Sequence, residues 1–332
     1  MKLSIAMATY NGERFLPAQL HSFVSQSRMP DELVVSDDQS TDGTVPLLLE
    51  FQRHAPFLVD IQVNPARLGP TRNFDQALAR TTGDLVLLSD QDDVWFDTKI
   101  ASLEAAALAN VEKACFISDA LLVDGDLKPS GKTKMGQIRN AGLPATDMVM
   151  GCCAAFRRSL LDVLLPIPGD QAAHDNWLVQ FADLLELVER SQVPQQLYRR
   201  HGGNVSAFFV NSPESSGSMQ RLSRPVREML RRMTTPGGLA AEHRFLVAVT
   251  DRLANRSSQV RQLVGSNADS LFARVQDRAA LLGRRQALRR MPRSRRFGKG
   301  LAMWKRGEYS TGAVASALKD LLVRTEPGEP PC

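Results

Sequence analysis
Cysteine is scarce in this chain, with four residues in 332, two of them adjacent at Cys152-Cys153. That number and spacing give neither a disulfide framework nor a zinc site, which need paired residues at set separations. The thiols are expected to be reduced, as in a cytosolic protein. Long apolar runs are missing too, and none approaches the roughly 18 residues of a membrane span. The apolar stretch at residues 3–8 gives way at once to polar Thr9-Tyr10-Asn11-Gly12. It is too short for a secretory signal, so none is expected. No repeat, heptad or nucleic-acid-binding motif stands out. What remains, 43% hydrophobic and 23% charged, is an ordinary globular composition with room for one large domain and an appendage, or for two domains.

Acid is absent where base is densest. Residues 284–306 hold ten Lys/Arg and no Asp or Glu. Residues 1–210 carry 18 basic and 26 acidic side chains, a net of −8, whereas 211–332 carry 23 and 10, a net of +13. Opposite balances suggest two jobs, and the chain is divided on that basis into 1–210 and a basic, mainly helical 211–332.

The first half alternates strand-like and helix-like text. Residues 3–8, 32–36, 59–63 and 84–89 read as strands. Residues 13–25, 43–53 and 69–80 read as helices, with Phe15, Leu16, Leu20, Phe23 and Val24 on one face of the first. This rhythm predicts an α/β, doubly wound sheet with ligands at the carboxyl ends of its strands. Residues 114–118 and 120–123 read as short strands, 128–142 as a mobile loop and 174–185 as a helix. Beyond a linker at 212–218, helices are expected at 221–232, 239–253, 260–264 and 270–290.

Three strands end in polar, sharply turning sequence: Thr9-Tyr10-Asn11-Gly12, Asp37-Asp38-Gln39-Ser40-Thr41-Asp42-Gly43 and Asp90-Gln91-Asp92-Asp93. All three should lie along one edge. Three carboxylates within four residues repel each other unless a cation or a set of donors answers them. Hard oxygen ligands there suit Mg²⁺ or Mn²⁺, with a diphosphate supplying further oxygens. Taken alone, these four residues also read as a solvated turn capping a helix near Asp97.

Further motifs are Asn64 to Asn73 with Leu68-Gly69, Ser89 to Trp95, His174-Asp175-Asn176-Trp177, and Tyr198-Arg199-Arg200-His201 with Asn204. In this order and spacing they resemble the family 2 glycosyltransferases of the GT-A fold, in particular the bacterial rhamnosyltransferase-like branch. The resemblance covers about 1–205 and implies a mixed sheet, with the region past 210 as a helical extension. It implies a nucleotide-diphosphate-sugar donor, dTDP or UDP, and an inverting transfer of a sugar such as rhamnose. The implied acceptor is a glycan or lipid-linked glycan of bacterial surface polysaccharide.

The resemblance also assigns residues. Thr9, Tyr10, Asn11 and Glu13 would line the base and ribose pocket. Asp38 would accept the imide N–H of uracil or thymine. Asp90 and Gln91 would meet the donor. Arg72, near a helix start, would face its anion or be a plain surface residue. Asp92 would bind the metal, joined by His201, with Arg199 beside it; a lone histidine is otherwise a structural hydrogen-bonder. Asp175 would be the general base, at a position where Asp is also a favoured helix cap.

Other classes fit less well. A sugar-phosphate nucleotidyltransferase needs a Gly-rich loop and a Lys after the first strand, and a phosphoaspartyl phosphatase needs a nucleophilic Asp there. Thr9-Tyr10-Asn11-Gly12 supplies neither. Intact Asp90, Asp92 and Asp175 argue against a non-catalytic nucleotide- or glycan-binding module. The run 284–306 interleaves Leu288, Met291, Phe297, Leu301, Met303 and Trp304 with its cations. It suits an anionic membrane surface met through Arg289, Arg290, Arg295 and Arg296, or reads as solvated helix faces. The expected location is the cytoplasm, peripheral on the inner face of the membrane, with no nucleic-acid partner.

Overall fold
The first three strands, β1 (Leu3–Thr9), β2 (Glu32–Asp37) and β3 (Leu58–Val63), alternate with the helices α1 (Leu16–Val24) and α2 (Thr44–His54). α3 (Pro70–Arg80) and β4 (Leu85–Ser89) follow. In this computed structural model, residues 1–169, 171, 173–201, 238–309, 317, 320 and 321 are described. β1, β2 and β4 are apolar on both faces, which fits a parallel sheet covered on both sides. Leu3, Ile5, Met7, Leu33, Val35 and Leu87 share a core with Leu16, Leu20 and Phe23 of α1. Alternation turns Ala6 and Val34 to the other face, where α3 packs on β1 and β2.

β1 is parallel to β2 and to β4, with Thr9 opposite Asp37 and Met7 opposite Ser89. Three polar strand ends therefore emerge along one edge. The sheet then turns mixed. The two-residue β5 (Val94–Trp95) and α4 (Lys99–Ala109) precede β6 (Cys115–Val123). β8 (Ala154–Arg157) is antiparallel to both β4 and β6, and β9 (Val188–Arg199) is parallel to β6 and antiparallel to β5. Pairing of Val94 with Leu197 carries the end of β9 to the acidic turn. α6 (Arg158–Leu164) and α7 (His174–Leu184) lie between β8 and β9.

Residues 128–142, expected as a mobile loop, are structured. They form β7 (Pro129–Thr133), paired with β6, and α5 (Lys134–Asn140), whose start is capped when the Thr133 hydroxyl accepts from Gly136 N–H at 3.0 Å. The two short strands expected at 114–123 are one strand with an irregular register. The expected linker at 212–218, the helix at 221–232 and Asn204 lie outside the described residues.

Contacts divide the chain into Met1–Ser215 with Arg256–Ser266, and Ser216–Asn255 with Asn267–Cys332. Within the first unit, α9 (Ser257–Val264) touches α6. Within the second, α8 (Gly238–Asn255) packs along α10 (Ala268–Arg290) through Leu246, Val249 and Leu253 on one side and Leu271, Val275 and Leu282 on the other. α11 (Arg293–Lys305) follows.

The basic run is not the uniform cationic surface its composition predicts. Arg289 is 5% exposed and Arg296 0%. Buried Asp320 takes hydrogen bonds from Arg285 at 2.6 Å and Arg289 at 2.7 Å. Arg296 donates to the carbonyls of Met291 at 2.8 Å and Asp320 at 3.2 Å. Arg289 and Arg296 are thus framework, not membrane contacts, because a guanidinium leaves water only where acceptors replace it. Asp320→Ala is expected to destabilise this unit by about 3–5 kcal/mol, the cost of stripping a buried ion pair of one partner. Arg290→Ala, at an exposed site, should change stability by no more than about 0.5 kcal/mol. Urea unfolding followed by Trp304 fluorescence compares the two.

Candidate active site
The loop after β1 is stitched to its neighbours by side chains expected to line a pocket. The Thr9 hydroxyl is buried and donates to Asp37 Oδ2 at 2.7 Å, where the Ser40 hydroxyl also donates at 2.6 Å. Asn11 adopts a left-handed φ of 47° and accepts from Thr41 N–H at 2.8 Å. Glu13 accepts from Gly43 N–H at 2.9 Å. The Gln91 amide clasps both backbone groups of Tyr10, at 2.9 and 3.0 Å. A Cβ on Gly12 would stand 2.3 Å from Gln91 Oε1, so any larger residue there would push the Gln91 amide out of the clasp. Thr9, Glu13 and Gln91 therefore shape the edge. The ring of Tyr10 stays partly exposed, with the Arg67 guanidinium 4.0 Å above it. The sequence reading passed over Arg67.

Asp38 is tied into the fold by the next loop. Its carboxylate is buried and accepts from Leu68 N–H at 2.6 Å and Gly69 N–H at 2.8 Å. It clamps the entry to α3. Arg72 is also tied within the protein. It donates to the Ile167 carbonyl at 2.9 Å, while Asp75 of the same helix accepts from Ile167 N–H at 2.7 Å. α3 thus grips both backbone groups of Ile167, ahead of α7.

The end of β4 gathers the charge. Asp92 and His201 meet at 2.7 Å, and the imidazole lies 4.5 Å from the Phe15 ring. Arg199 donates from Nε to the Asp92 carbonyl at 2.7 Å and from Nη1 to the Gly125 carbonyl at 2.6 Å, with Phe15 4.7 Å beneath it. Arg199 is buried in this role and braces the turn instead of reaching outward. Burial, together with the charges of Asp92 and Asp175, pushes the Asp90 carboxyl up to about 7. Asp92 and Asp175 are therefore each close enough to Asp90 to repel it.

Asp93 turns inward. It accepts from Gln196 Nε2 at 2.7 Å and Arg199 N–H at 3.1 Å, and burial holds its carboxyl well above the usual range. Fully buried Lys99 donates to the Cys152 carbonyl at 2.6 Å and to Gln196 Oε1, its ammonium 3.9 Å over the Trp95 ring. Lys99 and Gln196 were missed, because a Lys opening a helix and a Gln in a strand look unremarkable in sequence. Asp90, Asp93 and Cys152 bring ligand atoms within 4.8 Å of one another. Hard cations prefer oxygen to sulfur, and the fixed Lys99 ammonium already serves this inner cluster. Asp92 with His201 lies outside it and is partly exposed, an oxygen and nitrogen pair of the kind a divalent cation would accept, and the crowded carboxylates give an excess of negative charge that such an ion would offset.

On the other side of the edge, Asp175 lies in the first turn of α7 and accepts from Asn176 N–H at 2.8 Å. His174 stacks on Phe74 of α3 at 4.0 Å, and a Cβ on Gly151 would meet its Nε2 at 2.8 Å. Trp177, fully buried, anchors the helix through its indole N–H to the Leu164 carbonyl at 2.9 Å. The three described cysteines, Cys115, Cys152 and Cys153, are buried free thiols.

Comparison with known proteins agrees with this architecture. Residues 4–165 match the family described as Glycosyl transferase family 2. The dTDP-rhamnosyl transferase RfbG of Shigella flexneri is 28% identical over 216 residues, 60% of this chain and 72% of that protein. An uncharacterised glycosyltransferase of Nostoc sp. is 26% identical over 66% of this chain and 71% of its own length. The crystal structure of Staphylococcus aureus TarS 1–349 in complex with UDP-GlcNAc shares the fold, with a TM-score of 0.54 at 18% identity over 94% of this chain and 93% of that one.

The packing of His174 has a consequence for pH. Burial lowers its pKa below the ordinary 6.5, with neighbouring Asp175 opposing the shift. The unfolded chain therefore takes up this proton first as pH falls. The contribution of His174 to stability is complete above about pH 6.5 and is lost as pH drops through the lower folded value. His174→Gln should flatten the acid limb of a plot of unfolding midpoint against pH. An unchanged slope between neutral and mildly acidic pH would remove His174 from that role.

Proposed function
We propose, from the premise that this chain belongs to glycosyl transferase family 2, that it is an inverting, metal-dependent hexosyltransferase using a nucleotide-diphosphate sugar. The observation that carries the reading is the convergence of Asp90, Asp92 and His201 with Asp175 at one sheet edge. The dTDP-rhamnosyl transferase relative supports a dTDP donor and rhamnose, with UDP as the next candidate. The acceptor is a glycan or lipid-linked glycan of bacterial surface polysaccharide, and transfer takes place at the cytoplasmic face of the membrane.

In this mechanism Asp175 takes the proton of the acceptor hydroxyl as that oxygen bonds the anomeric carbon. The bond from that carbon to the diphosphate oxygen breaks, and its electron pair leaves with the nucleotide diphosphate. Attack opposite the leaving group inverts the centre. Asp92 and His201 would hold Mg²⁺ or Mn²⁺, whose charge, when bound, stabilises the departing diphosphate. Tyr10 and Asn11 flank the base and ribose, and Asp90 accepts from the ribose hydroxyls. The start of α7 fixes the direction of Asp175, and buried Trp177 keeps that start in place.

Thermal stabilisation by dTDP, UDP, GDP and CDP, with and without Mn²⁺, tests the donor, since a ligand of the folded state raises the midpoint. Asp92→Ala should abolish the Mn²⁺-dependent part, and His201→Ala should weaken it more mildly. Unchanged dTDP and UDP affinity in a folded Asp92→Ala protein would sink the metal assignment. Asp175→Asn should keep donor binding and lower transfer by at least about 10²-fold, the low end for general base catalysis. Near-normal turnover would reduce Asp175 to a helix cap.

A further inference from the structure
α11 leaves large apolar side chains in water. Phe297 is 68% exposed, Leu301 45% and Trp304 43%. Spaced by four and then three residues, they form one stripe along the helix. Arg296, Gly300 and Met303 form the adjoining stripe, and that one is buried. The remaining surface carries exposed Arg295, Lys299 and Lys305, and exposed Arg290 ends α10 just before it. The nearest acid after the run, Glu308, is paired with Arg284 and Arg306. Two aromatics and a leucine on one stripe, edged by cations, match a surface that is apolar below and anionic above. A lipid bilayer with acidic headgroups is such a surface: indoles settle at its boundary and long cationic side chains reach back to the phosphates. No described helix is long and apolar enough to cross a membrane, so α11 would lie along it.

We propose that this stripe is the membrane-docking face of the chain. Phe297, Leu301 and Trp304 enter the boundary between headgroups and acyl chains, while Arg290, Arg295, Lys299 and Lys305 meet the lipid phosphates. Buried Arg289 and Arg296 take no part. The inference deepens the reading of a membrane-borne acceptor, but it rests on the second unit alone.

Trp304 is a built-in reporter, because the other two tryptophans, Trp95 and Trp177, are buried. The full chain is titrated with vesicles of phosphatidylglycerol and phosphatidylcholine, and with phosphatidylcholine alone. Expected are a blue shift and quenching by acyl-brominated lipid with the anionic vesicles only, both weakened by salt. Phe297→Glu with Leu301→Glu should lower partitioning by at least about tenfold, as apolar contact is lost. The thermal transition and the metal-dependent donor hydrolysis measured without lipid should be retained. Binding without quenching, equal response to neutral vesicles, or undiminished binding of the double variant would overturn the proposal. So would self-association that the double variant abolishes, which would make a second copy the occupant. Loss of donor hydrolysis in the unsubstituted chain would instead fault the transferase reading and leave this one standing.

Discussion
One buried ammonium holds the candidate site together. The Lys99 Nζ lies under the end of β4, bonded to the Cys152 carbonyl and to Gln196, whose amide passes a hydrogen bond on to Asp93. Asp90, Asp92 and Asp93 would otherwise converge with the Arg199 guanidinium as their fixed positive neighbour on the outer side alone. Burying an ion is costly unless partners answer it, and here the cost is shared. Lys99 has oxygen acceptors and the face of Trp95, and Asp93 has Gln196 and the Arg199 N–H. With the inner carboxylate pinned, Asp92 is left on the outer side of the turn against His201.

The parallel half of the sheet was legible because β1, β2 and β4 are buried on both faces, which leaves near-continuous apolar runs between polar ends. β9 was not. Its sequence holds Pro194, Gln195, Gln196 and Arg199, and its place is set by hydrogen bonds to the acidic turn rather than by apolar alternation. The strand and helix over 129–140 were hidden in the same way. Gly, Lys and other polar residues dominate there, and the one local signal was a capping Thr133. The gathering of Asp90, Asp92, Asp175 and His201 could be anticipated from strand ends and resemblance. The roles of Asp38, Gln91, Arg72 and Arg199 could not. Sequence shows that an acceptor or donor sits near the edge, but not that Leu68, Gly69, Tyr10, Ile167 or Gly125 will claim it first.

The basic run teaches the same lesson at larger scale. Net charge counts side chains without regard to direction. Asp320, outside the run and buried, turns Arg285 and Arg289 inward, and backbone carbonyls do the same for Arg296. What reaches water is a smaller set of cations beside an apolar stripe, a different chemical surface from the one the composition describes.

The bracing of α3 reaches beyond stability. Asp38 grips its entry, Arg72 and Asp75 reach from it to Ile167, and Phe74 stacks on His174. The helix is thus a rigid spacer between the ends of β1 and β2 and the loop that leads to Asp175. On the proposed reading, a spacer of set length fixes the gauge of the gap in which a sugar would fit. Altering which sugar such a gap accepts would then call for recutting the side chains that floor it, since the walls are not free to slide apart.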